Sequence, residues 1–123
     1  MITKVNSDGN LVQYPLGQTP VVLTKAPRWN LVARSGAFST VANDRNLVDT
    51  TSAAITCTLP LTPTAGDVIE FLDSKGQFGT NNLTLSRNGS NINGLASDFL
   101  CDVAGKKYTA TYIDSTYGWT IAF

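Results

Sequence analysis

Asn82-Leu83-Thr84-Leu85-Ser86-Arg87-Asn88-Gly89-Ser90-Asn91-Ile92-Asn93-Gly94-Leu95 sets the fold class of this chain. Leu83 and Leu85 fall on one side of an extended backbone and Thr84 and Ser86 on the other, the two-residue period of a half-buried strand. Asn88-Gly89 tolerates positive φ at both central turn positions, the chemistry of a tight hairpin. Ile92 is a lone apolar anchor, and Asn93-Gly94 turns the chain again. A strand and two Asn-Gly turns in so short a span leave no room for a helix, and the flanking segments read as strands that pair with this one.

Downstream the pattern continues. Phe99, Cys101 and Val103 alternate with Leu100 and Asp102 between Ser97 and Val103. Ala104-Gly105-Lys106 turns into Lys107–Asp114, where Tyr108, Ala110 and Tyr112 oppose Thr109, Thr111 and Ile113. After Ser115-Thr116-Tyr117-Gly118, the residues Trp119, Ile121 and Phe123 form a last strand. Upstream, Leu47-Val48 begins a short strand, and Ile55, Cys57 and Leu59 alternate with Thr56 and Thr58. Pro60 and Pro63 stiffen the loop to Gly66-Asp67. In Val68–Leu72, Ile69 and Phe71 oppose Glu70, and Phe78 between two glycines is placed to plug an end of the core. Short strands at regular spacing with turn residues between them predict an all-β fold, a small antiparallel sandwich or barrel-like module over residues 46–123.

Residues 1–45 differ. Pro15, Pro20 and Pro27 recur without period, and apolar residues come in clusters: Leu11-Val12, Val21-Val22-Leu23, Leu31-Val32. Asp8-Gly9 is suited to close a small hairpin, and the prolines restrict Val21–Thr24 to an edge strand. This segment reads as an extended N-terminal arm with short edge strands. Its large apolar side chains need a surface to lie on, with Val22, Trp29 and Phe38 as the candidate anchors.

The charge balance narrows the partners. The 123 residues carry nine cationic and nine anionic side chains and no histidine. A net charge of zero argues against general affinity for nucleic acid or membrane surfaces. The halves differ: Lys4, Lys25, Arg28, Arg34 and Arg45 face only Asp8 and Asp44 in residues 1–45, and the rest of the chain carries the matching acidic surplus. No apolar run approaches the ~20 residues of a membrane span, and the residues after Met1 do not read as a signal peptide, so none is expected. Cys57 and Cys101 lie on apolar phases and read as buried thiols, with a cross-strand disulfide as the alternative.

Little of this composition suits catalysis. Without histidine, Ser-His-Asp and Cys-His mechanisms and most zinc sites are excluded. Glu70 is the only glutamate and is expected to face solvent or meet a lysine, with no partner carboxylate for glycoside hydrolysis. Asn6-Ser7-Asp8-Gly9-Asn10 begins like a calcium loop, but Leu11 stands where glycine is required and no closing glutamate follows. Gly76-Gln77-Phe78-Gly79 lacks the lysine and helix of a phosphate loop. The expectation is a non-enzymatic protein with no cofactor and no metal. Tyr108, Tyr112, Tyr117 and Trp119 fit a β core or an interface; a sugar-binding face built on Tyr117 and Trp119 is the alternative.

From Val48 to Trp119 the order of motifs resembles a small β module of tailed-bacteriophage virion proteins. The resemblance is carried by Leu47-Val48-Asp49-Thr50-Thr51, Thr58-Leu59-Pro60, Pro63-Thr64-Ala65-Gly66-Asp67, Glu70-Phe71-Leu72-Asp73, Gly76, Phe78 and Thr80-Asn81-Asn82-Leu83-Thr84. Arg87-Asn88-Gly89-Ser90, Ile92, Gly94, Asp98, Asp102-Val103 and Tyr117-Gly118-Trp119 complete it. The resemblance implies a structural virion protein, made in the host bacterial cytoplasm, that docks onto other virion proteins as a homo-oligomer, a trimer by analogy. In that family the module is commonly part of a longer fibre chain. Here it stands behind an arm, which favours a tail-fibre or collar adaptor or a head decoration protein, with a carbohydrate-binding module of a receptor-binding fibre as the alternative.

Overall fold

The computed structural model describes residues 2–5, 10–14 and 21–25 as backbone strands and residues 29–123 with their side chains. Near the N-terminus, β1 (Ile2–Val5), β2 (Asn10–Tyr14) and β3 (Val21–Lys25) form an antiparallel sheet in that order. Val5 pairs with Leu11 and Ile2 with Tyr14, so β1 and β2 make the hairpin expected there. Its Asp8-Gly9 turn lies outside the described residues. β3 is an edge strand of this sheet.

The body is two stacked sheets. One has the order β12-β11-β8-β6-β4, from β4 (Asn30–Arg34), β6 (Asp44–Val48), β8 (Val68–Asp73), β11 (Lys107–Asp114) and β12 (Gly118–Ala122). The other has the order β10-β9-β7-β5, from β5 (Phe38–Ser39), β7 (Ile55–Thr58), β9 (Leu83–Ser86) and β10 (Phe99–Cys101). The chain is all-β and sandwich-like, with no helix among the described residues.

Three expectations need correction. The sheets are mixed rather than antiparallel, and neither closes into a barrel. From β4 to β9 successive strands alternate between the two sheets. Each return lays a strand parallel to the one before it: β4 with β6, β6 with β8, β5 with β7 and β7 with β9. A parallel pair needs a long crossover, and here each crossover is a strand of the opposite sheet. The chain therefore winds three turns of a flat coil before β10, β11 and β12 add on antiparallel. The expected boundary between Arg45 and Asn46 falls inside β6, and β4 and β5, upstream of it, are strands of the body.

Between the sheets lie Ile55, Cys57, Leu59, Leu83, Leu85 and Cys101 from one side and Val48, Ile69, Phe71, Tyr108, Ala110 and Trp119 from the other, all buried. These are the alternating residues of the sequence pattern, and removing each large apolar side chain from water is worth about 1.5–3 kcal/mol. Phe78 is fully buried beside Tyr108, ring centroids 6.2 Å apart, and plugs the core as expected. Both Asn-Gly pairs are left-handed, with φ of 48° and 91° at Asn88-Gly89 and 52° and 76° at Asn93-Gly94. Cys57 and Cys101 are free buried thiols, and burial pushes both well above the ordinary thiol range.

Candidate docking edge

A two-sheet stack has four edge strands, and an edge left open presents unpaired N–H and C=O groups to any extended chain. The β12 edge is closed by the stretch that sets the fold class. Trp119 donates its backbone N–H to the Asn91 carbonyl at 2.9 Å and accepts from Asn93 N–H at 2.6 Å. Gly94 N–H bonds the Tyr117 carbonyl at 2.9 Å, and Asn93 Oδ1 accepts from the Ile121 N–H at 3.0 Å. The turn at Asn93-Gly94 brings Leu95 back onto Ile92, so a small bridge covers this margin. β10 and β5, the margins of the other sheet, are only three and two residues long.

β4 is different. Asn30 N–H donates to the Asn43 carbonyl at 2.9 Å and the Arg34 carbonyl accepts from Asp49 N–H at 2.8 Å, so the even-numbered residues of β4 turn their backbone groups toward β6. Backbone groups of successive strand residues point to opposite edges, which leaves Leu31 and Ala33 facing outward with no strand beside them among the described residues. Leu31 is also 66% exposed. The neighbouring Trp29 is 37% exposed, with the Arg45 guanidinium 5.7 Å from its ring centroid. On the other sheet, Phe38 packs half-buried against the core, and the Arg34 guanidinium lies 4.5 Å from its ring centroid. A depression of about 380 Å³ runs beside it along Ala37, Thr56 and Thr58.

Polar side chains fill the interior behind this edge. Asn46 is fully buried, and Thr40 and Asp44 nearly so. Asp44 Oδ2 accepts from Thr40 Oγ1 and from Val41 N–H, both at 3.0 Å, and Asp44 Oδ1 accepts from Asn30 Nδ2 at 3.3 Å. Asn46 donates to Thr40 Oγ1 at 3.1 Å and to the Glu70 carbonyl at 3.2 Å. Arg34 closes the cluster, with Nε 3.1 Å from Asn46 Oδ1 and Nη2 3.6 Å from Asp44 Oδ2. Buried polar groups satisfied this fully fix one arrangement of the strands that carry them.

The sequence-derived candidates fall in different places. Val22 lies in β3, opposite Val12, and its side chain is outside the described residues. Trp29 and Phe38 stand at the same open end of the stack, one beside each sheet margin. Tyr117 is 44% exposed in the turn before β12. Trp119 is fully buried, edge-on to Tyr112 with ring centroids 5.3 Å apart. Its ring offers no face to a sugar, so the carbohydrate alternative loses its main platform: Trp119 and the half-buried Ile121 lie on the core side of β12, and only Phe123, at the end of that alternation, is exposed.

Glu70 is nearly buried between Arg45, at 2.6 Å, and Lys107, at 3.4 Å. Burial pushes its carboxyl up, but the Arg45 hydrogen bond and the charges of Lys107 and Arg45 outweigh that and hold it below the usual range. It is an ion-paired residue of the outer sheet face. No cluster of three metal-ligating side chains occurs among the described residues. Leu31 and the cluster around Asp44 were not singled out from sequence. Hydrophobic periodicity cannot find them, because the inward positions there are polar and the exposed one is apolar. What this end of the molecule offers among the described residues is backbone pairing plus apolar contact. No protein-family model matches the chain, and a comparison with curated proteins finds no relative.

Proposed function

We propose that this chain is a non-enzymatic structural protein of a tailed-phage virion, of the tail-fibre or collar adaptor or head decoration type. It docks onto neighbouring virion proteins through its N-terminal arm and the open margin of its sheet stack. The observation that carries the reading is the contrast between the two ends of the five-stranded sheet. One margin is sealed by Asn91–Leu95, whereas β4, flanked by Trp29 and Leu31, has no strand on its outer side among the described residues. Strand addition at such a margin draws affinity from main-chain hydrogen bonds and specificity from a few side-chain anchors. The motif order from Val48 to Trp119 supplies the phage context, and the absence of histidine agrees with a protein that catalyses nothing.

The test is made on particles. Mass spectrometry of purified virions is expected to find the chain at a fixed stoichiometry, and a density map to show a neighbouring strand or arm against Asn30–Arg34. A chain absent from particles, or present with β4 facing solvent, overturns the proposal.

A further inference from the structure

We infer that the occupant of the β4 margin is a second copy of this chain, paired antiparallel about a two-fold axis through Val32. The outward backbone groups on β4 belong to Leu31 and Ala33, which flank Val32 symmetrically. Antiparallel pairing about Val32 sets Leu31 of one copy opposite Ala33 of the other, and the reverse. Both are then hydrogen-bonded positions, joined by two reciprocal pairs of backbone bonds. The side chains agree with this register. Leu31 and Ala33 share the outer face, so apolar meets apolar there. Asn30 and Arg34 share the inner face, so each guanidinium meets a carboxamide and not a like charge. Asn30 already donates its amide to Asp44 at 3.3 Å, which leaves its oxygen to accept from the incoming arginine.

A two-fold axis perpendicular to the sheet keeps corresponding faces on the same side. The four-stranded sheets therefore also approach each other at β5, and the open, half-buried Phe38 is covered. The sealed β12 margin leaves the five-stranded sheet this one junction for growth, so that sheet stops at two copies. Pairing of this kind is isologous and closes on itself. The register thus points to pairs, not to the three copies expected by analogy. The inference deepens the docking reading by naming its occupant. Because it is tested on purified protein, its failure leaves the virion assignment standing, and absence from particles leaves the pairing standing.

Sedimentation and light scattering on the full chain are expected to give twice the 13.1 kDa chain mass. Ala33→Pro removes an outward N–H that the fold does not use, and proline is tolerated at such edge positions; it is expected to return the mass to one chain with an unchanged β spectrum. Cysteine scanning checks the register independently. Val32→Cys places two thiols about 4.5 Å apart at Cα across a non-hydrogen-bonded pair, within disulfide reach, and is expected to cross-link on oxidation. Ala33→Cys places them on a diagonal about 7–8 Å apart and is expected not to. The buried Cys57 and Cys101 do not compete. A mass of one or three chains overturns the inference, as does an Ala33→Pro protein that remains paired. Should Ala33→Pro fail to fold, the cysteine pair decides: cross-linking at 33 and not at 32 also overturns it.

Discussion

Asp73 keeps a negative charge almost entirely out of water, at 6% exposure. Burial alone pushes its carboxyl up, but backbone N–H groups of Gly105, Phe78 and Gln77 donate to it at 2.8, 3.0 and 3.0 Å and hold it below the usual range. These bonds tie the loop before β11 and the loop carrying Phe78 to the end of β8. A folded-state pKa below the unfolded one means that folding favours the charged form. The stabilisation is complete above the ordinary aspartate value of about 3.9 and is lost as pH falls through the folded value. Asp73→Asn keeps the shape but opposes a donor to a donor on one side. Urea unfolding at neutral pH is expected to show a loss of about 1–3 kcal/mol, and the variant's stability should fall less steeply than the parent's below pH ~4. Gly118 makes a second residue-level case. A Cβ there would sit 1.9 Å from the Asn91 carbonyl oxygen, at a φ of +77°. Gly89 has a φ of +91° but open space around its Cβ position. Gly89→Ala is expected to cost only the left-handed penalty, about 1–2 kcal/mol. Gly118→Ala adds a backbone clash of about 1–3 kcal/mol and loosens the bridge that seals β12, so its thermal midpoint should fall distinctly further.

At the level of elements, strand identity is written in the sequence and strand partnership is not. Period-2 alternation at Ile55–Leu59, Val68–Phe71 and Leu83–Leu85 says that these segments are extended and which face is buried. It says nothing about whether β6 pairs with its hairpin neighbour or with a strand one coil turn away, and Arg45 in fact lies beside Glu70. The Asn-Gly turns were legible because their requirement for positive φ is local. The start of the body was hidden for the opposite reason: the inward residues of β4 and β6 include Asn30, Arg34, Asp44 and Asn46, which read as surface until their mutual hydrogen bonds are seen. Trp119 was open to a binding role only because an aromatic ring serves a core and a sugar site equally well in sequence. This placement of β4 gives a truncation experiment. A chain beginning at Trp29 keeps β4 and is expected to retain the β spectrum and a cooperative urea transition. A chain beginning at Gly36 loses Asn30 and Arg34, leaving Asp44 and Asn46 without two of their partners, and should unfold at distinctly lower urea, by about 1–3 kcal/mol for the unsatisfied groups alone.

For the whole molecule, the coil has a finished end and an unfinished one, and cooperativity should follow that polarity. In stacked architectures each turn is held chiefly by its neighbours, so a terminal turn without a cap is the first to open. Here β8 lies between β6 and β11, and β9 between β7 and β10, while the far side is closed by Asn91–Leu95. Among the described residues, β4 and the two-residue β5 have a neighbour on one side only. Amide hydrogen exchange read by NMR is therefore expected to be slowest at Phe71, Leu85 and Ala110 and faster toward β4. Within β4 the alternation should be visible residue by residue. Val32, whose N–H turns toward β6, is protected, whereas Leu31 and Ala33, whose N–H groups point away, exchange at nearly the rate of a free peptide in dilute protein. Raising the protein concentration should slow Leu31 and Ala33 together and leave Val32 unchanged, because pairing of two copies covers the outward groups alone. Protection of all three residues in dilute protein would mean that another part of the same chain already lies along the β4 margin, and the docking role of that edge would fall.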